Sequence, residues 1–278
     1  MILKMAKEQH TTRHHHHFSI TYPVSIGQKL YSIFVTPVIV LLIIVLAVKI
    51  FSLFPATPLR AIEFTTILKA FAYTFGRLLI AYVLALIIAI PLALLADSNV
   101  MAEKILLPAF DIIQSVPVLA FFPIIIAVFV KYSLFDWAAI FILFLGMLWN
   151  LVFSLIGGLR IIPSDIKDAA KVFKVRGLAY FRKVLLPASV PYLVTGSLLA
   201  WAQGWNIIIV AEVLHTYIPG GVPSQDLFGI GSMLVNAAAT SQQAVFIAAI
   251  ISMVVGIGLI NFFIWQKLLH YAERFKFE

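Results

Sequence analysis

Apolar residues in this chain come in long unbroken blocks, without the period of two or of three to four that marks a half-buried strand or an amphipathic helix. Runs free of Asp, Glu, Lys, Arg and His occupy residues 30–48, 78–96, 112–130, 137–159 and 184–211. Each is long enough, as a helix rising ~1.5 Å per residue, to cross the ~30 Å of a bilayer's hydrocarbon. The last run, 227–266, is too long for one crossing and opens with Gly229, Gly231, Asn236 and Thr240. It predicts a sixth helix at 245–265 and a short external or re-entrant helix before it. The pattern predicts an all-α membrane protein with about six transmembrane helices. Its segments are a polar tail over 1–29, a first transmembrane helix within 30–55, a core of five more over 70–270, and a short tail over 271–278. No short basic segment with a small-residue cleavage site precedes the first run, so it reads as a retained anchor.

Composition supports the membrane reading: 62% of residues are hydrophobic, only 12% are charged, and mean hydropathy is +1.04, against ~25% charged residues in soluble domains. A formal net charge of +8 would suggest nucleic acid in a soluble protein. Here it follows membrane topology. With the N-terminus inside, 15 of the 20 Lys and Arg fall on the cytoplasmic side, so both termini are expected in the cytoplasm. Residues 160–186 then form the largest cytoplasmic segment after the N-terminal tail. The chain has no cysteine, which excludes disulfides, thiolate metal sites and cysteine nucleophiles. His10 and the run His14 to His17 could bind a metal, but ligands without a scaffold do not make a dedicated site, and no metal site is assigned.

Residues 160–187 read RIIPSDIKDAAKVFKVRGLAYFRKVLLP. A helix is expected from an N-cap at Ser164, with Ile166, Ala169, Ala170 and Phe173 on one face and Lys167, Lys171 and Lys174 on a neighbouring one. Gly177 is expected to break it, and a second short stretch leads to Leu186-Pro187, where Pro suits the first turn of a membrane helix. Periodicity alone leaves two readings open: a helix docked in another protein's groove, or one lying on anionic lipid.

Asp168-Ala169-Ala170, followed at a fixed interval by Leu186-Pro187, resembles the EAA signature of permease subunits of bacterial ATP-binding-cassette importers, with Asp168 in place of Glu. The sulfonate, nitrate, bicarbonate and taurine branch is resembled further by Thr74-Phe75-Gly76-Arg77, by Ser115-Val116-Pro117-Val118-Leu119-Ala120-Phe121-Phe122-Pro123 and by Ala211-Glu212-Val213. The resemblance covers about residues 70 to 275. Lys174 stands where the wider family has Gly, and with Pro191 to Gly196, Trp205-Asn206 and Ala272-Glu273-Arg274 it looks most like one half of the tandem-duplicated permeases. The resemblance implies a coupling helix at Asp168, Ala169, Ala170, Phe173, Lys174 and Gly177, closed by Leu186 and Pro187, seated on a separate cytosolic ATPase. It also implies a second permease subunit, identical or paralogous, and an extracytoplasmic solute-binding protein, in a bacterial or archaeal cytoplasmic (inner) membrane. No G-x-x-x-x-G-K-[S/T] phosphate loop occurs, so no cofactor is expected on this chain, and ATP and Mg would sit on the partner.

Few polar side chains lie within the runs. Gln114 beside Pro117, and Gln203 with Asn206, are candidate pathway residues, set against plain interhelical hydrogen bonding. Pro91, Pro117 and Pro123 are expected to kink or unwind their helices. Gly196, Ala200 and Gly204 repeat at four-residue spacing, as close helix approach requires. A secondary transporter or channel is the alternative; it is weakened by the lack of ionisable residues in the six runs. A membrane enzyme is weaker still, since His215 and Glu212 have no evident partners in the sequence. The solute expected from the branch is a small oxyanion.

Overall fold

The computed structural model describes residues 64–97, 99–218 and 220–275, with isolated positions 38, 41, 42, 45 and 49. The chain divides into two units, Met1–Pro55 and Ala56–Glu278. In the first, the five described positions are helical; the expected polar and histidine-rich tail and most of the expected first membrane helix lie outside the described residues.

The second unit is helical wherever it is regular. Its elements are α1 (Phe64–Asp97), α2 (Val100–Ser115), α3 (Val118–Lys131), α4 (Phe135–Arg160), α5 (Ser164–Val172), α6 (Gly177–Tyr180), α7 (Leu186–Glu212), α8 (Ile230–Ala239), α9 (Gln243–Ile260) and α10 (Gln266–Ala272). A π turn, Phe181–Leu185, runs α6 into α7, and another, Asn261–Trp265, joins α9 to α10. Among the described residues, four continuous helices are long and apolar enough to span a membrane: Phe64–Asp97, Phe135–Arg160, Phe181–Glu212 and Gln243–Phe275. The expected third span is not one straight helix but the pair α2–α3, bent by 81°. Val116, just before Pro117, is extended at φ −74 and ψ 122, as the clash with a following proline ring demands. Pro91 and Pro123, also expected to interrupt, lie inside α1 and α3. The expected external helix is α8.

Most of the core lies where α4 packs against α1 and α7. Ala81, Ala85, Ala89 and Ala93 recur every four residues on α1 and are fully or almost fully buried. Leu143, Met147, Leu151 and Val152 of α4 are fully buried too. In lipid, where burial against another helix gains little over burial against acyl chains, such contacts hold by close packing. Gly196 sits against Ser154 and the Asn150 carbonyl, Gly204 against Leu78 and Met147, and Gly158 against the Tyr192 ring; a Cβ at each would come within 2.6, 2.7 and 2.7 Å of those neighbours. Ile80, Val83 and Ile87 of α1 and Ile251, Val255 and Leu259 of α9 face outward, as lipid-facing positions do.

Candidate functional site

The segment singled out by its sequence folds as a short helix set on a bundle end. Pro163 is the N-cap of α5, one residue earlier than expected, and makes no side-chain cap bond. Ile166 and Ala170 turn toward the rest of the chain, Ala170 buried and Ile166 half-buried. Ala169 is exposed, and so are Val172 and Phe173, at 77% and 79%. The expected single apolar face is therefore split. Phe173 is the C-cap, its amide still donating to the Ala169 carbonyl at 3.0 Å.

The helix ends at Phe173, earlier than the expected break at Gly177. Lys174 takes the left-handed conformation at φ 54, and the Val175 amide donates to the Ala170 carbonyl at 2.9 Å, the closure that normally uses glycine. Gly177, also left-handed at φ 57, instead opens α6. Asp168 is exposed and accepts from Lys171 Nζ at 2.7 Å. Bonded to that carboxylate, the Lys171 ammonium titrates above its ordinary range. Leu186 and Pro187 begin α7. Arg160, the last residue of α4, pairs with Glu103 of α2 at this same end.

Where the start of α4 and the end of α7 meet α1 at Thr74 and Arg77 lies an arrangement that the apolar runs did not predict. Glu212, the last residue of α7, is fully buried. Its Oε1 accepts from Thr74 Oγ1 at 2.7 Å and Arg77 Nη1 at 2.8 Å, and its Oε2 from the Gly231 amide at 2.7 Å. Arg77 also donates through Nη1 to the Phe228 carbonyl at 3.0 Å, and through Nε to Asp136 Oδ1 at 2.8 Å. Nearby, His215 Nδ1 lies 2.7 Å from Asp226 Oδ1, whose oxygen also accepts from the His215 amide at 3.0 Å. Glu212 and His215, expected to lack partners, both have them. The absence of ionisable residues from the runs likewise does not extend to the helices: α1 carries Lys69 and Arg77, α2 carries Glu103, Lys104 and Asp111, and α7 ends on Glu212. A sequence signal for the cluster did exist. Arg77, Asp136 and Glu212 each sit one residue outside an apolar run, and alternating helix directions bring those three run ends together.

The four candidate pathway residues, Gln114, Pro117, Gln203 and Asn206, are all exposed. Gln114 is exposed, donating to Asp111 Oδ1 at 2.9 Å one turn before the break at Pro117. Gln203 and Asn206 are exposed on α7.

Residues 81–270 match the family described as the inner membrane component of binding-protein-dependent transport systems. The chain belongs to that family. It is 36% identical over 180 residues to a nitrate import permease protein of Leptolyngbya laminosa, covering 65% of this chain and 60% of the relative. It is 33% identical over 137 residues to a bicarbonate transport system permease protein of Synechococcus elongatus, covering 49% and 48%. It is 27% identical over 204 residues to a putative permease protein of Methanocaldococcus jannaschii, covering 69% and 71%. The chain thus spans well under two thirds of the length of the first two relatives. As a family member with several apolar helices it is a multi-pass membrane protein, and the matched region contains α5, α7 and Glu212 while stopping short of Thr74 and Arg77.

Proposed function

We propose that the chain is the transmembrane permease subunit of an ATP-binding-cassette importer, with the α5 end in the cytoplasm. The observation carrying this is the exposed Ala169–Val172–Phe173 edge of α5, an apolar surface at the bundle end with a basic border. Buried desolvated anchors with aromatic character are what a partner's groove takes. The partner is a cytosolic ATPase, which carries ATP and Mg; a second permease subunit and an extracytoplasmic solute-binding protein complete the importer. Both termini are cytoplasmic. The solute is a small oxyanion, nitrate or bicarbonate, the cargo in the names of the relatives.

Replacing Phe173 with Glu tests the coupling reading. Because Phe173 is 79% exposed among the described residues, F173E is expected to leave membrane insertion and melting unchanged while the ATPase no longer co-purifies and uptake stops. If α5 instead lies on lipid, F173E keeps its ATPase and the damage comes from reversing Lys167, Lys171 and Lys174 together. Uptake of nitrate and bicarbonate by cells lacking the gene, with and without the chain restored, tests the solute; normal uptake of both in its absence refutes that assignment.

A further inference from the structure

The cluster around Glu212 does more than neutralise a charge. Gly229, the N-cap of α8, has no side chain with which to cap, and α8 lacks a local side-chain cap bond. Its first two amides are satisfied from other helices: Ile230 N donates to Thr74 Oγ1 at 2.9 Å and Gly231 N to Glu212 Oε2 at 2.7 Å. The first amides of a helix have no partner within it and need one, so α8 begins where α1 and α7 supply acceptors. Further ties bind the same place. The Leu227 amide donates to the Glu212 carbonyl at 3.0 Å, and the Tyr73 and Phe228 rings meet edge to face at 5.7 Å. A Cβ on Gly231 would come within 2.9 Å of the Ile208 carbonyl and of Ile209 Cα, and one on Gly229 would strike the Glu212 carboxylate. No buried side-chain nitrogen or oxygen among the described residues lacks a partner.

We propose that Thr74, Arg77 and Glu212 are positioning residues for translocation: they clamp α8 to α1 and α7 throughout the cycle, so α8 is a fixed wall and not a moving lid. Swinging α8 away would strand two helix amides and a buried carboxylate at once, and breaking one side of a buried ion pair is among the costliest changes a protein can undergo. The cavity of about 390 Å³ bordered by Asp226, Phe228, Ser232 and Asn236 is then a preformed outer vestibule, with hydroxyl and amide groups on its α8 side and the Asp226 carboxylate turned to His215. This rests on the permease reading; the clamp itself can be tested apart from it.

Tyr73→Cys and Phe228→Cys, introduced together into this cysteine-free chain, can be bridged by a short thiol-reactive linker that reductant removes. In proteoliposomes holding the full importer, the bridged complex is expected to take up nitrate or bicarbonate within about twofold of the unbridged one, a change smaller than the loss of one ordinary hydrogen bond would bring. Uptake abolished by the bridge and restored by reductant overturns the proposal. Hydrogen exchange at Ile230 and Gly231, read on the permease–ATPase complex, needs no transported solute. Equal protection with and without ATP supports the clamp, and an exchange rate about tenfold faster on adding ATP overturns it. Thr74→Ser keeps the hydroxyl and should keep the Ile230 amide protected, whereas Thr74→Val should speed its exchange about tenfold. If T74V exchanges as slowly as the parent, the assignment of Thr74 fails. Should neither anion be taken up by the unbridged importer, the solute assignment is lost while the exchange result still decides the clamp.

Discussion

Glu212 is fully buried, and a carboxylate there persists only because Arg77, Thr74 and Gly231 surround it. Removing one partner of a buried pair costs about 3–5 kcal/mol, so Glu212→Ala should lower stability by that order in denaturant unfolding of the detergent-solubilised chain. Glu103→Ala, which breaks the largely exposed pair with Arg160 at the other end, should cost no more than about 1 kcal/mol. Equal losses from the two would show that burial at Glu212 carries no special weight. Lys174 offers a second test. A β-branched residue is strained at positive φ, so Lys174→Val should loosen the α5 terminus while Lys174→Gly preserves it. Amide exchange at Val175, which donates to Ala170 across that turn, reads the difference. The αL residue was legible in the sequence only through the resemblance, because Lys174 looks like any solvated lysine and Gly177, three residues on, carries the ordinary signal for a break.

For the helices, the apolar runs located α4 and α7 to within two residues at each end and found the C-terminal end of α1 but not its start. Charged residues bound the runs, yet α1 continues through Arg77 and Lys69 to Phe64; Arg77 is paired with Glu212 and Asp136, and Lys69 is exposed on the helix surface. The glycine spacing on α7 did carry packing information. Gly158, against the Tyr192 ring, has no slack: Gly158→Leu should cost about 1–3 kcal/mol by overpacking and separate α4 from α7, with thermal melting as the measure. Gly157, with nothing near the position its Cβ would take, is the control, and Gly157→Leu should melt close to the parent. Pro117 marks the helix-level feature most easily misread. A run of 19 uncharged residues satisfies the length rule for a span, but the residue before a proline is disfavoured in the helical conformation, and at Val116, unlike Ile90 and Phe122, the chain leaves the helix, so the run folds as two pieces.

At the scale of the whole molecule, the proposed orientation places residues 214–243, which contain no Lys or Arg, outside. A single cysteine at Ser224 should react with a membrane-impermeant reagent on intact cells or spheroplasts, and one at Ser164 only after the membrane is opened. The reverse pattern would invert the topology. Composition and run length by themselves determined that the chain is an all-helical membrane protein, because the cost of burying backbone and charge in hydrocarbon acts on each segment separately and can be read one segment at a time. The short helix within residues 160–187 was legible because its pattern, too, is local. Only the tertiary structure decided that Ala170 turns inward while Phe173 is left free, and that Arg77, Asp136 and Glu212 meet, along with the capping of α8 by residues more than a hundred positions away in the case of Thr74. Those outcomes depend on which helices pack side by side and at what rotation, and beyond the four-residue spacing of small residues on α1 and α7, packing between apolar surfaces leaves little periodic mark in a sequence that is apolar all round.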